Sequence, residues 1–250
     1  MSLSGQGKKQ KKYQYEAQSA SFHILTPREH QSNNQAAYTF AFSKQLSAAI
    51  RNDLTDAQIT FDQLCNTPDA LESLQSRLFE VVHTNMLLAP CSGAFYFLNT
   101  TVNDSLPDKS YSGLYLKYAN IYAENTIHNE VCLFRGFSTI AREKDINLHS
   151  TWQLETLAGS FPEIDKLMSD KKDASSDSYF LTPVYKLPGT WESVRFFCVP
   201  ILDAYGTTIG VCGYEISSLY FSLSLKTLGS GQAHIFGALL TEEGDHYTCL

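Results

Sequence analysis

The sequence is poor in the features that announce chemistry. Its glycines form neither G-x-G-x-x-G nor a phosphate-binding loop, so nucleotide binding has no anchor. G-x-S-x-G, H-E-x-x-H and D-x-D-x-D-G are absent, which removes the common hydrolase, zinc-protease and calcium-loop signatures. His23, His30, His83, His128, His149, His234 and His246 are scattered, and none stands beside a cysteine at metal-ligand spacing. The six cysteines form no C-x-x-C, so a structural zinc site is not expected. No run approaches the roughly 20 apolar residues of a spanning helix. The N-terminal cluster Lys8, Lys9, Lys11 and Lys12 is followed by no apolar segment and is therefore not a secretory signal. Basic side chains are also few, 19 against 26 acidic ones, for a net charge of -7. That balance argues against nucleic acid as a partner, because phosphates need a basic face. No catalytic residue, cofactor or metal is expected.

What remains is a globular composition. The 250 residues are 43% hydrophobic and 12% aromatic, with 14 Tyr and 15 Phe against 2 Trp. That is too apolar for a disordered chain and long enough to bury a core. Residues 1–33 are polar and read as a tail. From Asn34 the pattern turns helical, with Phe40, Leu46, Ile50 and Leu54 near a 3.6-residue period. Leu71, Leu74, Leu78, Val81 and Val82 mark a second stripe, capped by Asp69 and ended by Pro90. The 34–88 region is thus one long helix or a helix broken near Pro68. Strands are expected at 92–98, 113–118, 179–185, 194–202 and 208–216, the last three joined by short turns as an antiparallel meander. The stretch between the second and third strands reads as mixed, with helix starts at Ser150–Glu155 and Phe161–Leu167. The fold class is α+β: a long N-terminal helix on a five-stranded antiparallel sheet. Cys198 and Cys212 lie in apolar runs, either as buried thiols or, in an oxidising compartment, as a disulfide between neighbouring strands.

The segment Pro200 to Ile216 reads P-x-x-D-x-x-G-x-x-x-G-V-x-G-x-E-I. It resembles the closing hairpin of Cache sensor domains, and the long helix, the strand pair at 93–118, Trp152 and the Y-x-L-T-P-V-Y run at 179–185 are similar to that family as well. The resemblance covers residues 34–218 and implies a PAS-like sheet. It also implies a role as the extracytoplasmic, small-molecule-sensing part of a bacterial membrane receptor: a histidine kinase of a two-component system, a chemoreceptor or a cyclic-dinucleotide enzyme. The expected division is a helical region at 34–88, a sensor module at 89–218, and, at 219–250, a connecting helix and the first hairpin of a membrane-proximal module. The opening Met1-Ser2-Leu3 resembles a recombinant start, and the chain stops at Leu250 inside a strand-like pattern, so a fragment joined to the membrane through absent segments is expected.

In that family ligands sit between the sheet and the insert covering it. The resemblance therefore singles out Arg135, Arg142, His149 and Trp152 in the insert, and Tyr179, Tyr185, Arg195 and Glu215 on the sheet. Glu215 holds the place where amino-acid-binding members carry an aspartate for the ligand ammonium. A buried carboxylate needs a cation or donors, which is either a ligand amine or an internal partner, most simply Arg195. Trp152 is either a ligand-stacking ring or core. Arg142 has the guanidinium geometry to clamp a carboxylate. The amino-acid binders place their Arg two residues before the Trp and a Tyr after it. Here Arg142 precedes Trp152 by ten and Gln153 follows, so the α-amino-acid signature is not reproduced. The expected ligand bears an amine or a carboxylate. The alternative is a module without a ligand, dimerising through the 34–88 helices across a two-fold.

Overall fold

The N-terminal helical region breaks where its apolar rhythm lapses. The computed structural model describes residues 35–102, 109–119, 130–169 and 180–220, with the strand pairs 238–239 and 248–249. Helix α1 (Gln35–Asp56) ends in a turn in which Gln58 takes a left-handed φ of 54°. Helix α2 (Phe61–Cys65) starts from a reciprocal cap, the Gln63 amide donating to the Thr60 hydroxyl and the Thr60 amide to the Gln63 side chain. Helix α3 (Pro68–Leu88) begins after Thr67. Asp69 is therefore not the cap. Pro68, with its preset φ and no N–H to lose, takes the first helical position and leaves Asp69 inside the first turn. The region is three helices, not one long helix or a helix broken once.

Nine strands build the main sheet: β1 (Gly93–Leu98), β2 (Ser110–Tyr118), β3 (Val131–Arg135), β4 (Asn147–Gln153), β5 (Thr156–Leu157), β6 (Phe180–Leu181), β7 (Tyr185–Lys186), β8 (Ser193–Leu202) and β9 (Thr208–Ser217). Their order is β4-β3-β2-β1-β9-β8-β6, with β5 on β2 and β7 on β8. The central strands β3, β2, β1, β9 and β8 pair antiparallel, so the architecture is α+β and PAS-like. Helices α4 (Ser138–Glu143) and α5 (Pro162–Ser169) lie in the insert. A separate ladder pairs β10 (Ala238–Leu239) with β11 (Thr248–Cys249), segments that the sequence marks as a hairpin. The 1–33 tail, Tyr179 and the rest of the segment after Tyr220 lie outside the described residues.

Two expectations fail locally. The span 179–185 is not one strand: Pro183, which has no N–H for a ladder, separates β6 from β7. Ser150–Glu155 is not a helix start either, but strand β4 and the bend after it. Glu155 is the reason. Instead of capping a helix, its buried carboxylate accepts bonds from Val102 N (2.6 Å), Thr101 Oγ1 (2.8 Å) and Ser110 Oγ (2.6 Å). A tertiary anchor outweighs the local propensity.

Strand alternation sorts the core into two faces. Phe42, Leu46 and Ile50 of α1, with Leu71, Leu74, Leu78 and Val82 of α3, pack on Ala94, Tyr96, Leu98, Leu114, Leu116, Cys212 and Tyr214. The opposite face is aromatic: Phe95, Phe97, Tyr111, Tyr115, Phe134 and Phe196, covered by Phe161, Ile164 and Met168 around α5. Cys198 belongs to the aromatic face and Cys212 to the helical one; both are free thiols, and the sheet lies between them. Their in-register partners are Gly213 and Val199, so no disulfide joins this pair. Replacing Glu155 by alanine strands the three donors, at about 1–3 kcal/mol for each that water does not reach. A loss of about 2–3 kcal/mol is expected in urea unfolding of Glu155→Ala.

Candidate ligand site

Gly93 opens the middle of the sheet. It is paired in register with Lys117 on β2 and with Glu215 on β9, so these two residues flank a position with no side chain. A Cβ on Gly93 would stand 2.8 Å from the Leu116 carbonyl and 3.3 Å from the Lys117 Cγ. Lys117 and Glu215 therefore meet above β1, with the Lys117 ammonium 2.5 Å from both carboxylate oxygens. Both side chains are buried, at 1% and 0% exposure. The Tyr115 hydroxyl donates to Glu215 Oε2, and Ser92 Oγ donates to Oε1 at 2.6 Å. Ser92 in turn accepts from the Ser217 amide at 2.8 Å.

A third charged residue lies nearer the surface. Lys117 also reaches Glu192 Oε2 at 3.0 Å, from the turn that links β7 to β8, and Glu192 is 16% exposed. One ammonium thus lies between two carboxylates. Arg135 supplies a second cation. Its guanidinium stacks 3.8 Å from the Phe134 ring centre and donates to the carbonyls of Phe134 (2.7 Å) and Thr151 (3.0 Å). Lys117 stands against the same ring at 5.8 Å, and His149 meets it edge-on at 4.9 Å. Burial pulls Arg135 down to about 10 and, with the nearby Lys117 charge, holds His149 below its ordinary range. Burial and then the Glu215 charge push Tyr115 up, so its phenol keeps the proton it donates.

Glu215 and Tyr185 lie on the aromatic face. Tyr185 packs at 5.5 Å from Phe161 and 6.3 Å from Phe196, and its buried hydroxyl has no hydrogen-bond partner among the described residues. Arg135 and His149 join the cluster around Phe134. Arg195 pairs in register with Ile216, one residue out of phase with Glu215, and donates to the Thr182 carbonyl at 3.0 Å. The internal cation is Lys117, not Arg195. Trp152 packs against the helical-face core and donates to the Gly136 carbonyl at 3.0 Å. Arg142 is exposed on α4, whose Glu143 accepts from Ser76 of α3. Neither reaches the Glu215 cluster, and Tyr179 lies outside the described residues. The sequence reading missed Lys117, Glu192 and Tyr115. The signal for two of them was present: Leu114 and Leu116 set the phase of β2, which puts Tyr115 and Lys117 together on the other face. Among the described residues no three His, Cys, Asp or Glu side chains converge as metal ligands.

The domain is thus a PAS-like α+β module with a charged cluster buried beside an aromatic face. No protein-family model matches the chain, and no curated protein does. Among solved structures it is similar to the ligand-binding domain of the Campylobacter jejuni chemoreceptor Tlp3 in complex with L-valine, at 13% identity and a TM-score of 0.37 over 87% of this chain and 64% of that one. The same domain in complex with L-norvaline gives 15% identity and a TM-score of 0.35, covering 87% and 62%. The chain spans less than two thirds of the length of either structure.

Removing one partner of the buried pair leaves the other charge without compensation, at about 3–5 kcal/mol. Lys117→Met and Glu215→Gln are each expected to lose about that much in denaturant unfolding. The double variant should lose clearly less than the sum. Strict additivity would show that the two residues are energetically independent.

Proposed function

We propose that the chain is the ligand-sensing domain of a bacterial membrane signalling receptor, and that it binds its ligand between the aromatic face of the sheet and the insert. The observation that carries this reading is the Lys117–Glu215–Glu192 cluster. Burying those charges costs more solvation than apolar packing of the same volume, so stability alone is a poor reason for the arrangement. Buried charges with one edge toward solvent, beside an aromatic wall, suit a small polar molecule. An amine on the ligand would take the carboxylates of Glu192 and Glu215; a carboxylate would draw Lys117 away from them. Either exchange loosens the link between β2, β9 and the β7–β8 turn. Tyr185, whose hydroxyl has no partner among the described residues, is the second contact assigned to the ligand.

In this reading residues 89–218 are the sensor module, 34–88 the helices that carry its state, and 219–250 the connection toward a membrane-proximal module. The receptor stands on the outer face of the cell membrane, and its output is a kinase, chemotaxis or cyclic-dinucleotide domain. The chain binds and does not catalyse. The competing reading, a dimerising module without a ligand, draws support from Leu87 and Leu88, exposed side by side at the end of α3 at 57% and 65%.

A thermal-shift screen of amines, amino acids, organic acids and sugars separates the two. A true ligand at a hundredfold its Kd stabilises by about 2.7 kcal/mol, or roughly 5–10 °C for a chain of this size. Glu192→Gln, which keeps the fold because Glu192 is at the solvent edge, should weaken a found ligand by about tenfold. No hit across the library, together with a dimer in sedimentation that Leu87→Ser/Leu88→Ser dissolves, would favour the dimerising module.

A further inference from the structure

A cleft lies where α1 packs on the end of β8, away from the charged cluster. It has a volume of about 220 Å³ and lies between α1 and the end of β8. Its walls are built from an amphipathic pattern turned inside the seam. Phe40 and Leu202 supply apolar surface, and Lys44, Ser47 and Arg51 follow at helical spacing along one flank of α1. Two turns separate Lys44 from Arg51, about 10 Å along the axis, within the converging reach of two long side chains.

The cleft is held in shape from both sides. Pro200 offers a carbonyl that takes the buried Ser43 hydroxyl at 2.7 Å, and the Leu202 amide donates to Ser47 Oγ at 3.4 Å. The Ser47 hydroxyl proton goes to none of the described residues. Asp203, at the rim, is turned into its own loop, where its Oδ1 accepts from the amides of Tyr205 and Thr207, both at 2.8 Å. Among the described residues neither Lys44 nor Arg51 has an ion-pair partner. Asp53, the nearest acid on α1, is already taken by Arg77 of α3. In a chain with a net charge of -7, two cations without an ion-pair partner among the described residues, on the wall of a preformed cleft, are a local exception.

We infer that this cleft binds a small organic anion, a carboxylate or a phosphate monoester, with its charge between Lys44 and Arg51 and its apolar part against Phe40 and Leu202. The Ser47 hydroxyl is the hydrogen-bond donor between the two cations. A guanidinium and an ammonium together suit either anion, and the walls demand an apolar body that inorganic anions lack. The site is separate from the one proposed above. It differs in residues and in charge, and its occupant would pin α1 to the β8–β9 turn.

Titration calorimetry with benzoate, phenyl phosphate and inorganic phosphate tests this on the whole chain. At least one of the two aromatic anions is expected to bind at a single site with a Kd at or below about 1 mM. Lys44→Ala/Arg51→Ala should weaken that binding about tenfold or more, and both residues are exposed, so circular dichroism should be unchanged. Glu192→Gln should leave it as it is. Three results would overturn the inference: no saturable binding of either aromatic anion at ten times that concentration, equal affinity for inorganic phosphate, or binding kept in the double variant.

Discussion

The meeting of Lys117 and Glu215 above Gly93 is the constraint around which the domain is arranged. Glycine at that position lets two charged side chains from strands on either side of β1 touch, which no larger residue would permit. The contact joins β2, early in the chain, to β9, the last strand of the main sheet, across 98 residues of sequence. It also fixes the phase of three strands at once, since a slip of one residue would turn every inward side chain to the other face. Ser92, which bonds both the Glu215 carboxylate and the Glu215 backbone, locks the same register from the start of β1.

Two faces of unlike chemistry follow from that register. On one side aliphatic residues of α1 and α3 meet the sheet, with Phe42 against Tyr214 at 5.3 Å. On the other, aromatic rings of β1, β2, β3 and β8 stack edge to face beneath α5. Aromatic walls tolerate a change of occupant better than interlocked aliphatics, because ring edges and faces accept polar and cationic groups as well as apolar ones. The charged cluster sits where the aromatic wall meets solvent. The cationic cleft lies between α1 and the end of β8.

Much of this was legible in the sequence, and the failures have identifiable causes. Aromatic and apolar runs bounded by turn residues showed β1, β8 and β9, and the 3.6-residue stripe showed α1 and α3. Pro162 at the head of a short amphipathic run marked α5. The missed strands β3 and β4 form part of the insert, where β4 runs parallel to β3 and exposes most of its residues, so no apolar alternation betrays it. Glu155 misled for a related reason. Its partners Thr101, Val102 and Ser110 are distant in sequence, and a single-chain pattern does not reveal a carboxylate recruited from afar. Glu215 was found because its motif resembles a known hairpin. Its true partner was passed over in favour of Arg195, the nearest cation on an adjacent strand, although Arg195 lies on the wrong phase of β8. Phase, not proximity, selects Lys117.

The same alternation supplies a physical route from the charged cluster to the helices. Glu215 faces the aromatic side while Tyr214, its neighbour on β9, faces α1, where it packs on Phe42 and its hydroxyl donates to Asn85 of α3 at 3.4 Å. A change in the Lys117–Glu215 distance would move β9 against β1, and Tyr214 with it. Close-packed interfaces do not deform smoothly, so such a displacement is absorbed by an alternative packing of α1 and α3 rather than spread over the core. A ligand at the cluster alters the helices only to the extent that it binds the two packings unequally. An anion in the α1 cleft would bias the same equilibrium, because its apolar part would bridge Phe40 of α1 and Leu202 of β8 while its charge is held on α1. Two ligands that each preferred one packing of this seam would be coupled, and each would change the affinity for the other by the same factor.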